Sequence, residues 1–126
     1  MQFRTDRQRA TGLGAAKEGV SHWWNQRVSA VALAVLVLLF IWPLGAALGE
    51  SHEEVLETYR NPFNAIVAIL MFGTAFFHLK LGLQVVIEDY VHGKAMRTAL
   101  LLANTLLCAF FGIAGIFAVV KIALGA

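Results

Sequence analysis

Three long apolar stretches constrain this chain more than any other feature. The first covers residues 28–48 (VSAVALAVLVLLFIWPLGAAL) without a single charge, the second covers 62–87 with only His78 and Lys80 interrupting it, and the third covers 98–120, again uncharged. A helix needs roughly 20 apolar residues to cross a hydrocarbon core of ~30 Å, and each stretch is that long. Backbone amides in lipid must find their partners within the segment, so the stretches are expected to be helices. The fold class is therefore an all-α membrane protein with three transmembrane helices, over about 28–48, 62–88 and 98–121. Residues 1–27 form a segment ahead of it, and 28–126 form the three-helix membrane domain. With 59% hydrophobic and 14% charged residues in a chain of 126, a soluble domain of this size could not bury so much apolar surface.

Local signals refine the boundaries. Pro43 falls near the end of the first stretch, where a missing backbone bond costs least. Asn61-Pro62 has the pattern of a helix entry, a cap residue followed by proline. Ala46 and Ala47 faintly resemble a signal-peptide cleavage site, but the apolar run starts late and is longer than a signal core, so it reads as a retained helix.

Charge then sets orientation. Arg4, Arg7, Arg9, Lys17 and Arg27 precede the first span, and Lys94 and Arg97 lie between the second and third. Glu50, Glu53, Glu54 and Glu57 lie between the first two, opposed only by Arg60. Basic loops stay on the cytoplasmic side, which places the amino terminus inside and the acidic loop and carboxyl terminus outside. Lys121 reads as a snorkelling side chain at the outer end. The net charge of +2 is too small and dispersed for nucleic-acid binding. The lone Cys108 excludes a disulfide framework or a cysteine metal site, and reads as a small residue of a core or lipid face.

Apolar helices do no chemistry, so the polar residues carry the candidates. His78 lies inside the second span, about ten residues (~15 Å) before the inner-loop charges begin. An ionisable residue at that depth is a functional candidate. Its helical face includes Thr74, Ala75, Gly82 and Val85, and these small or flat neighbours leave room for a planar macrocycle with imidazole as axial iron ligand. A histidine hydrogen-bonded to a neighbouring helix fits the same pattern. Lys80 points to another face, to snorkel, to meet a lipid phosphate or to meet an acidic partner. Glu88-Asp89-Tyr90-Val91-His92 ends the second helix with carboxylates that oppose the helix dipole. These are ordinary interfacial residues, or a phenol and carboxylate that hydrogen-bond a lipid-soluble substrate. Before the first span, Gly19-Val20-Ser21-His22-Trp23-Trp24-Asn25-Gln26-Arg27 supplies an aromatic anchor. Arg27, a cation at a helix start, suits an anionic group such as a haem propionate or a lipid phosphate.

The run from His78 through Gly82 and Gln84 to Asp89-Tyr90-Val91 resembles the His-x-x-x-Gly-x-x-x-x-x-x-Asp-Tyr segment of the hydrophobic membrane anchor (D) subunits of succinate dehydrogenase, respiratory complex II. Arg97 follows at a similar spacing, and Arg27 with Val-Ser-Ala after it looks like the family's amino-terminal segment. The resemblance covers the whole chain. It implies that His78 gives one axial ligand to a b-type haem, while a cytochrome b-type C subunit anchor gives the other. It implies that Tyr90, with Asp89 beside it, hydrogen-bonds ubiquinone, that Arg27 meets a haem propionate, and that His22 and Gly82 belong to the haem environment. The lack of a Ser-Pro-His pattern favours D over C. The implied partners are that C subunit, an iron–sulfur subunit, a flavoprotein subunit and membrane lipids, in a bacterial inner membrane. The chain alone then catalyses nothing, although its complex oxidises succinate. Two other readings stay open: a haem-free anchor of a fumarate reductase-type complex, and a small transporter or accessory subunit with His78 and Lys80 in an ion path.

Overall fold

The computed structural model describes residues 5–11 and 19–125. Arg4 and Lys17, counted above among the basic residues, lie outside the described residues, as does the side chain of Arg9. The described chain forms α1 (Asp6–Thr11), α2 (Gly19–Ala47), α3 (His52–Arg60), α4 (Pro62–Tyr90) and α5 (Lys94–Ala123). Three of these, α2, α4 and α5, are long and apolar enough to cross a membrane. They coincide with the three sequence stretches but extend beyond them. The largest extension is in α2, which begins at Gly19, so the boundary drawn at 27/28 falls inside a continuous helix. Interfacial residues such as Trp23 and Arg27 hold helical conformation as readily as apolar ones once a long helix is nucleated beside them.

The ends follow local chemistry. Asn61 caps α4 by accepting the amide proton of Phe63 at 3.0 Å, with Pro62 in the first turn, as the dipeptide predicted. Pro43 is buried within α2 and denies the Leu39 carbonyl its helical partner. The helix continues only to Ala47, and Gly49 turns the chain with φ +88. The acidic loop contains α3, which hydropathy alone did not predict. Its signal is a Ser-x-x-Glu capping box: Ser51 Oγ accepts from the Glu54 amide at 3.4 Å, and a Glu54 carboxylate oxygen accepts from the Ser51 amide at 2.9 Å.

In the membrane domain, α4 lies between α2 and α5, and the outer two keep their backbones apart. At one end α3 touches all three long helices, and Ala65, Ala68 and Val119 form a core there with Phe40, Tyr59, Ile69 and Phe72 around it. Asn64 Nδ2 donates to the Thr58 carbonyl at 2.9 Å and so ties the last turn of α3 to α4. Between α4 and α5 the contact is close. Phe76 covers Gly112 and Phe72 covers Gly115, and buried Asn104 Nδ2 donates to the Lys80 carbonyl at 2.9 Å. Cys108 is buried here, its thiol 3.4 Å from Asn104 Oδ1, which decides between the two positions its sequence left open. Among the described residues no short helix packs against the long helices at the opposite end.

Candidate functional site

A cleft of about 1110 Å³ lies between α2 and α4, at the end away from α3. Its α2 wall carries His22, Gln26 and Arg27, and its α4 wall carries His78, Gly82 and Glu88. Four residues singled out by sequence, His22, Arg27, His78 and Gly82, therefore share one cavity although they come from two distant segments. The α2 wall is polar because His22, Gln26 and Ser29 recur at helical spacing on one face. That stripe was readable in the sequence, but the tryptophans beside it dominated the segment.

His78 is half-buried, and both its ring nitrogens have partners on α2. Nδ1 lies 2.9 Å from the Ser29 hydroxyl oxygen, and Nε2 lies 3.3 Å from the Gln26 side-chain nitrogen. Gly82 sits one turn below, and a Cβ there would come within 3.5 Å of the same Gln26 nitrogen. Gln26 reaches into the space beside Gly82 that the sequence left for a planar group. Among the described residues, two polar atoms of this wall, His22 Nε2 and Gln26 Oε1, are buried with no hydrogen-bond partner, which is uncommon for buried polar groups. Arg27 is exposed at the rim, its guanidinium 5.5 Å from the centre of the Trp23 ring.

The interfacial pair is elsewhere. Asp89 and Tyr90 end α4 exposed, Tyr90 at 78%, and neither lines the cleft. Twelve residues separate Tyr90 from His78, about 18 Å along a helix. Glu88 faces the cleft, held by Gln84 Nε2, which donates to its carboxylate at 2.9 Å. Lys80 reaches the edge of the cleft and also lines a groove of about 290 Å³ between α4 and α5, beside Gly73 and Cys108. No group of three or more His, Cys, Asp or Glu able to hold a bare metal ion occurs among the described residues.

A layer of three membrane-spanning helices, closed at one end by a short helix and open at the other onto a histidine-bearing cleft, defines a small all-α membrane subunit. The model of the succinate dehydrogenase/fumarate reductase transmembrane subunit family matches residues 1–120, and the chain belongs to that family. It is 35% identical over 126 residues to a succinate dehydrogenase hydrophobic membrane anchor subunit of Paracoccus denitrificans, covering 100% of this chain and 97% of that protein. It is 35% identical over 104 residues to one from Rickettsia bellii, covering 80% of this chain and 81% of that protein. A succinate dehydrogenase membrane anchor subunit of Reclinomonas americana is 32% identical over 84 residues, 64% of this chain and 70% of that protein. No solved structure is a significant match.

Proposed function

We propose that this chain is a membrane anchor subunit of a succinate:quinone oxidoreductase, that His78 supplies one axial ligand to a b-type haem shared with a second anchor subunit, and that Tyr90 and Asp89 belong to the ubiquinone site. Family membership supports the anchor role. The observation that carries the haem reading is the imidazole of His78, inside an apolar span, beside Gly82 at the wall of a cleft large enough for a cofactor. The unpaired polar atoms of His22 and Gln26 in that wall, and Arg27 at its rim as a cation for propionate, fit the same group.

When bound, the haem would supply one-electron redox chemistry. The chain's own residues bind and orient. His78 would present Nε2 to the haem once the Gln26 amide, 3.3 Å from it, moves aside, and Gly82 keeps the helix surface flat. Tyr90 and Asp89 occupy the membrane interface, where a phenol can donate a hydrogen bond to a quinone carbonyl. The three-helix layer leaves α2 and α5 with large exposed apolar residues, such as Trp42, Leu106 and Phe110, for lipid and for a partner anchor. The basic end, with Arg27, Lys94 and Arg97, faces the cytoplasm and the soluble flavoprotein and iron–sulfur subunits.

A haem-free anchor is the second reading. It is favoured by one observation: Ser29 and Gln26 already partner both ring nitrogens of His78. The reduced-minus-oxidised spectrum of the complex purified in mild detergent separates the two. Haem bands in the parent and their loss or change to high spin in His78→Ala are expected. A parent complex with soluble subunits but no haem returns His78 to helix packing.

A further inference from the structure

Ser29 is buried at 5% exposure in the first half of α2, one turn after Asn25 and Gln26. Its hydroxyl oxygen lies 2.7 Å from the Asn25 carbonyl, 3.1 Å from the Gln26 carbonyl and 2.9 Å from His78 Nδ1. A hydroxyl has one proton and a carbonyl has none. Two oxygens 2.7 Å apart with no proton between them would repel, and that separation is the usual length of an O–H···O bond. The serine proton therefore goes to its own helix, to the Asn25 carbonyl with Gln26 sharing it. What the hydroxyl presents to His78 is a lone pair, so the proton between them must be the imidazole's, on Nδ1.

That assignment fixes the rest of the ring. A neutral imidazole protonated at Nδ1 has a bare Nε2, and the Gln26 amide nitrogen 3.3 Å away is the donor such a nitrogen requires. Two contacts from different side chains thus select the same tautomer, with the basic nitrogen against Gln26, a residue of the cleft wall. From this geometry, and resting on the haem reading above, we infer that Ser29 is a positioning residue for the His78 ligand: it accepts the Nδ1 proton, locks the ring plane and makes Nε2 the iron-binding atom. An acceptor on the far nitrogen also makes an imidazole a stronger electron donor, which favours ferric over ferrous iron.

The test uses the intact complex carrying Ser29→Ala, Ser29→Thr or no change. Loss of the acceptor in Ser29→Ala should move the haem midpoint potential to a more positive value and shift the low-spin g values, which report the ring plane. It should speed haem loss to an excess of scavenging apoprotein by ~10- to 100-fold, the usual effect of removing a ligand's hydrogen-bond partner. Ser29→Thr retains the hydroxyl and should stay near the parent in all three. If Ser29→Ala does not assemble, Ser29→Cys carries the same test, with its weaker acceptor giving a smaller shift in the same direction. Parent values for potential and g values in the alanine variant, or in the cysteine variant standing in for it, would overturn the inference, as would a threonine variant as disturbed as alanine. A change confined to thermal stability would make Ser29 an ordinary helix serine. A parent complex without haem would overturn the haem reading and this inference together, whereas a haem-bearing parent with an indifferent Ser29 overturns this inference alone.

Discussion

Phe72 lies so close over Gly115 that a methyl group on the glycine would sit 2.5 Å from the ring. The missing Cβ leaves the space that the Phe72 ring fills, so the ring packs directly on the α5 backbone. Gly115→Ala forces either the ring or the helix to move, and overpacking of this kind costs about 1–3 kcal/mol. Gly45→Ala is the control: nothing lies within 4 Å of its added carbon. Loss of assembled complex on heating in mild detergent should come earlier for Gly115→Ala, whereas Gly45→Ala should match or exceed the parent.

Tyr90 tests the quinone assignment. A quinone carbonyl gains negative charge on reduction, so a positioned hydroxyl stabilises the reduced intermediate more than the starting quinone. Tyr90→Phe removes that donor and retains the ring. A loss of about 2–4 kcal/mol, or roughly 30- to 1000-fold in quinone reduction, is expected if the donor acts like one in an oxyanion hole. Succinate oxidation with a soluble dye that accepts electrons upstream should be nearly unchanged, as should haem content. Equal quinone reductase activity in variant and parent would make Tyr90 a membrane-belt residue.

Topology is checked at the capping serine of α3. The acidic segment that holds it is expected outside, opposite the basic end of the layer. A Ser51→Cys variant should react with a membrane-impermeant thiol reagent in intact cells, while buried Cys108 gives little background. Labelling only after membranes are disrupted would invert the topology.

The same helix should respond to acid. Hydrogen bonds from the Ser51 side chain and backbone hold the Glu54 carboxyl below its ordinary value of 4.5. A depressed carboxyl stabilises the folded form above the unfolded value, and that contribution is lost as pH falls through the lower, folded value. Opening at the Ser51 and Glu54 amides, read by hydrogen exchange, should therefore be independent of pH above about pH 5 and should increase below pH 4.5. Glu54→Gln, which retains an acceptor but not the charge, should remove most of that pH dependence.

The sequence by itself determined the three membrane helices, the capped entry of α4 at Asn61-Pro62 and the chemical identity of His78 as an ionisable group within a span. These are local matters: length, hydropathy and capping act within one segment, and lipid leaves the backbone no alternative to a helix. The capping box of α3 was equally local and legible. What the sequence left open for His78 was whether a ligand or a packing contact claims it, because that depends on which atoms of α2 stand opposite. Only the tertiary structure paired Ser29 and Gln26 with the two ring nitrogens across about fifty residues of chain, put Gln26 in the space beside Gly82, and separated Tyr90 from the cleft. The reason is physical. Helix formation in lipid fixes each segment's backbone, but the relative rotation of two helices is set by side-chain packing between them, here glycine against phenylalanine and serine against histidine, and no periodicity within either helix encodes it.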